Sequence, residues 1–155
     1  MRWAAAVLGG LAPLLLAGPA AAHPTDEVIQ QAYLTPTTSD LTVELVLTPG
    51  ALVAPAFAKA VDTGRDRAIS AAEEAWYAAG VASALTLRVD GATVPLTVTG
   101  HTAAPYQLLT AAGGTVTVTL TAPLPAGARS VEFHDAFDPG RSSPPASTAR
   151  PSASG

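Results

Sequence analysis

The sequence predicts a mainly β fold: a small antiparallel β-sandwich with an inserted helix-loop-helix. Three observations carry this expectation. Short stretches alternate apolar and polar residues with a period of two, which sets one apolar row against a core. Gly, Pro and Asp clusters separate these stretches, as turns do between the strands of a sandwich. A single alanine-rich region, residues 51–84, lacks that alternation and reads as helical.

The elements follow in order. The first strand is expected from Glu27 to Leu34, closed by the turn-rich Pro36-Thr37-Thr38-Ser39-Asp40. Leu41, Val43, Leu45 and Leu47 then alternate with Thr42, Glu44 and Val46. Helices are expected over Ala51 to Val61 and Ala71 to Ala84, with Pro55 suited to the first turn of the former. Ser70 and Glu73 have the spacing of a capping box for the second helix. Leu85, Leu87 and Val89 alternate again, and Asp90-Gly91 suits a tight hairpin turn. Val94, Leu96 and Val98 continue the alternation beyond that turn. Val116, Val118 and Leu120 alternate with threonines, and Val131 and Phe133 begin a last strand. Trp76 and Tyr77 are expected to pack, and Pro105-Tyr106 to cap one end of the sandwich.

Residues 1–22 read as a secretory signal peptide. Arg2 precedes the apolar run Ala4 to Ala17, Pro19 breaks it, and Ala20-Ala21-Ala22 forms a cleavage site. The mature chain then starts at His23, and the expected location is secreted or extracytoplasmic, in the cell envelope. No later segment approaches the roughly 20 apolar residues of a spanning helix, so no membrane span is expected after cleavage. The folded domain is expected over residues 23–138. The Pro-, Ser- and Ala-rich stretch 139–155 reads as a disordered tail. Composition changes abruptly there, which raises the expectation of a shortened form of a longer chain.

Composition narrows the function classes. The 155 residues contain no cysteine, which removes disulfides, thiolate metal sites and cysteine nucleophiles. The net charge of -4 comes without a basic run that would neutralise phosphates, so no nucleic-acid partner is expected. The serines lack a nucleophile-elbow setting, and no glycine-rich phosphate loop occurs. The neighbouring carboxylates Glu73 and Glu74 point apart on a helix, so spacing makes no acid–base dyad of them. These readings argue against an enzyme.

Two chemical leads remain. The segment Asp62 to Glu73 has the length and register of an EF-hand calcium loop, which offers oxygens at positions 1, 3, 5, 7, 9 and 12 and has Gly at position 6. Asp62, Asp66, Ser70 and Glu73 fall at positions 1, 5, 9 and 12. Gly64 removes the position-3 oxygen, and Arg67 replaces the position-6 glycine. Arg65 and Arg67 also place positive charge beside a cation. Calcium is thus a candidate ligand of a degenerate loop. The second lead is His23, whose α-amine and imidazole would chelate copper or nickel after cleavage, joined by His101 or His134.

The order of these features resembles a family of bacterial exported envelope proteins. The similar parts are His23-Pro24-Thr25-Asp26-Glu27 and the strand ending in Thr48-Pro49-Gly50, then the calcium-loop-like insert, Pro105-Tyr106 and the strand from Val131 to Phe137. Some members look like the extracytoplasmic part of nickel/cobalt-transporter-related proteins with membrane helices behind the domain. The resemblance implies an envelope protein or membrane transporter as partner. The functional expectation is an exported, non-enzymatic binding or accessory domain with residual weak calcium binding. The alternative is a copper-, nickel- or cobalt-handling protein that uses His23.

Overall fold

The computed structural model describes residues 25–139. Ten elements follow one another: β1 (Val28–Pro36), β2 (Asp40–Pro49), α1 (Ala54–Val61), α2 (Ala71–Ala84), β3 (Leu85–Val89), β4 (Ala92–Val94), β5 (Thr97–Ala103), α3 (Tyr106–Thr110), β6 (Val116–Pro123) and β7 (Val131–Asp135). The strands form two antiparallel sheets, a four-stranded one in the order β1-β2-β6-β5 and a three-stranded one in the order β4-β3-β7. The fold is mainly β with a helix-loop-helix between β2 and β3, as the periodicity predicts. Residues 1–22, read above as a signal peptide, and the stretch from residue 140 onward lie outside the described residues.

The alternation in β2 and β6 builds the centre of the larger sheet. Leu41, Val43, Leu45 and Leu47 stand opposite Ala122, Leu120, Val118 and Val116. All eight are buried on one face. Full burial of one such side chain stabilises by about 1.5–3 kcal/mol, so this double row is the main source of cohesion. Leu85 and Leu87 of β3, Phe57 and Val61 of α1, and Tyr77 and Val81 of α2 join the same core. Tyr77 stands edge-on to Phe57 and to Phe137, with ring centroids 6.0 and 5.7 Å apart.

Two local expectations need correction. The first helix begins at Ala54, not Ala51. Pro55 has no N–H to donate and is tolerated only in a first turn, so it fixes the start. Residues 51–53 instead turn, with Val53 and Ala54 donating to the Gly50 carbonyl at 3.1 and 2.9 Å. The alternation from Val94 to Val98 is not one strand: the chain leaves the smaller sheet after Val94 and enters the larger one at Thr97. Pro95 at the switch lacks the donor a continuing ladder requires. Gly100-His101-Thr102 is part of β5, with a register shift between Val98 and Gly100. Tyr106 opens the short helix α3.

Other local readings hold. Asp90 and Gly91 both take positive φ, 49° and 80°, as a two-residue hairpin between β3 and β4 requires. Ser70 caps α2 in a reciprocal capping box with Glu73.

Candidate functional site: a self-closed helix-loop-helix

The segment between α1 and α2 is organised by its own carboxylates. Asp62 ends α1 and is 2% exposed. Its Oδ1 accepts the Asp66 main-chain N–H at 3.2 Å, and its Oδ2 accepts that of Arg67 at 2.9 Å. Asp66 Oδ1 in turn accepts the Ala68 N–H at 2.9 Å. These contacts satisfy donors that a tight loop would otherwise leave without partners.

Glu73 closes the loop from the α2 side. Its Oε1 accepts the Gly64 N–H at 2.7 Å and the Thr63 hydroxyl at 3.2 Å. Its Oε2 accepts the Ser70 N–H at 2.9 Å and the Ser70 hydroxyl at 2.8 Å. A carboxylate offers about four acceptor positions, and four donors from within the loop meet them here. The two main-chain N–H groups, of Gly64 first and Ser70 next, hold the Glu73 carboxyl at about 2, well below its ordinary value.

The two departures from a calcium loop acquire physical reasons. A Cβ at Gly64 would stand 3.2 Å from Glu73 Oε1, so the missing side chain makes room for the closing carboxylate. Arg65 and Arg67 take left-handed backbone conformations, φ 59° and 63°. Such a conformation costs an L-residue roughly 1–2 kcal/mol. At Arg67 the hydrogen bond that its N–H donates to Asp62 Oδ2 offsets part of that cost.

The loop therefore separates its charges. Residues 59–73 hold three cations, Lys59, Arg65 and Arg67, and three acids, Asp62, Asp66 and Glu73. All three acids accept main-chain N–H groups of the loop. All three cations are exposed and, among the described residues, make no ion pair. Lys59, Arg65 and Arg67 line an open groove of about 440 Å³ together with Asp62 and Tyr106. Tyr106 belongs to α3, which packs against α1 and so supplies the far wall.

The sequence-predicted ligands are thus partly brought together. Asp62, Asp66, Ser70 and Glu73 share one loop, in the register expected. Among the described residues no group of three or more His, Asp or Glu side chains is arranged to hold a metal ion. Four donors from the loop meet the Glu73 carboxylate in this arrangement. His101 lies on β5 and His134 on β7, in different sheets. His101 Nδ1 stands 3.4 Å from Glu74 Oε2, and Glu74 Oε1 accepts the Ala103 N–H at 3.2 Å. Glu74 thereby ties α2 to β5, while Glu73 faces the loop. His23 lies outside the described residues.

Lys59 did not stand out in the sequence, and Tyr106 stood out only as an expected end cap. The signal that could have found Lys59 is the equal count of opposite charges over residues 59–73, once the acids are assigned inward; Tyr106 joins the groove only through packing of α3 on α1. A second groove, of about 360 Å³, is bordered by Asp26, Glu27, Phe57 and Asp138. No helix among the described residues is long and apolar enough to cross a membrane. Comparison with known proteins finds no matching family model, no similar curated protein and no similar solved structure.

Proposed function

We propose that this chain is an exported, non-enzymatic binding module of the cell envelope that works through its helix-loop-helix face. The observation that carries the reading is the closure of that loop by Asp62 and Glu73, which holds Arg65 and Arg67 in fixed left-handed conformations at a groove. A surface preorganised in this way loses less entropy on binding. The signal-like residues 1–22 support export, and the resemblance to envelope proteins supports an accessory role beside a transporter.

Expression of the full chain, followed by fractionation and intact-mass measurement, tests the reading. The expected product is extracytoplasmic, begins at His23 and is retained with envelope components. Retention is expected to fall on charge reversal by Arg65→Glu with Arg67→Glu. A cytosolic product that keeps its first 22 residues, or retention indifferent to the reversal, contradicts it.

A further inference from the structure

We infer that the groove between α1, the loop and α3 is a binding site for a small oxyanion, with carboxylate or phosphate groups as the recognised chemistry. The inference deepens the binding-module reading and rests on it. Its starting point is the inversion of a cation loop. In a calcium loop the carboxylates converge on an ion. Here Asp62 and Glu73 converge on main-chain N–H groups instead, and the cationic side chains are left for the outside.

Three cations then share one concave wall. Lys59 comes from the last turn of α1, and Arg65 and Arg67 come from alternate positions of the loop. Guanidinium forks match the geometry of carboxylates and phosphates, often with two parallel hydrogen bonds, and an ammonium adds a compact charge. Tyr106 also lines the groove, and a phenol hydroxyl is a donor that an anion accepts. Asp62 is the one acid of the lining, and both its oxygens already accept N–H groups. A concave wall with a net positive charge concentrates its field and raises the local level of counter-ions.

The groove's size suits a small molecule. About 440 Å³ lies within the range of small-ligand pockets, and the opening is wide. A single carboxylate would meet only part of the wall. A ligand with two or three anionic groups would engage Lys59 and both arginines together. The chain's overall charge is -4, so the cationic wall is opposite in sign to the molecule as a whole.

Calorimetric titration of the mature domain at low salt, with citrate and with pyrophosphate as separate probes, tests the site. The expected result is saturable one-site binding of at least one probe, weakened by added salt. Arg65→Asn with Arg67→Asn is expected to weaken it at least tenfold. Asparagine tolerates the left-handed backbone, so this variant keeps the loop's shape while losing its charge. Tyr106→Phe is expected to weaken binding a few-fold without changing the melting temperature. The preferred probe tells carboxylate from phosphate recognition. The assignment is overturned if neither probe binds, or if binding is unchanged in the double variant with its fold intact. Envelope retention of the charge-reversed chain is read separately: its loss alongside absent anion binding overturns the oxyanion assignment and leaves the binding face standing.

Discussion

Glu73 reaches back across nine residues to accept the main-chain N–H of Gly64 at 2.7 Å. This one bond joins the start of α2 to the loop after α1. With the Ser70 contacts it ties both ends of the loop to the Glu73 carboxylate.

Acid should loosen that tie. The Glu73 carboxyl lies at about 2 in the fold, against an ordinary 4.5. As the pH falls, the unfolded chain takes up the proton first, so protonation favours unfolding. The contribution is complete above about 4.5 and is lost as the pH falls toward 2. Thermal melts between these limits should show that decline. In Glu73→Gln this part of the pH dependence should vanish, with a lower melting temperature at neutral pH.

Ser70→Ala removes the other half of the capping box. Loss of a serine cap costs about 1 kcal/mol. Urea unfolding should show that loss with an unchanged slope, and the Ser70 N–H should still be bound by Glu73.

Asp62 is buried and holds two N–H groups. Asp62→Ala leaves both without a partner, at a cost of about 1–3 kcal/mol for each donor kept from water. Urea unfolding is again the check, and Asp62→Asn, which retains an acceptor, should lose less.

Two glycines should respond oppositely to alanine. A Cβ at Gly114 would lie 2.4 Å from that of Ala104 and 3.3 Å from that of Leu108, a clash at the end of α3. Overpacking of this kind costs about 1–3 kcal/mol. Gly80 lies within α2 with open space around it, so Gly80→Ala should stabilise by about 0.5–1 kcal/mol. Denaturation midpoints of the two variants should shift in opposite directions.

Much of the fold was legible because one face of β2 and of β6 is fully buried, which imprints a strict period of two on the sequence. The capping box at Ser70 and the turn at Asp90-Gly91 were legible because each depends on residues within one short segment. The sheet switch at Pro95 was not, because alternation persists across it and only pairing partners change. Asp90 shows the same limit. Its role as a turn residue could be read locally, but its Oδ1 also accepts the N–H groups of Arg129 and Ser130, both at 2.9 Å. Those bonds hold its carboxyl below the ordinary range. The groove escaped sequence reading for this reason as well, since Tyr106 reaches Lys59 and Arg67 only through the packing of α3 on α1.

Amide hydrogen exchange of the mature domain, with a calcium chelator present, tests the self-closed loop most directly. The Gly64, Arg67 and Ser70 amides are expected to be protected under those conditions and unchanged on adding millimolar calcium. Fast exchange in chelator, with protection gained on adding calcium, would contradict the account and return the loop to the calcium-dependent class its register resembles.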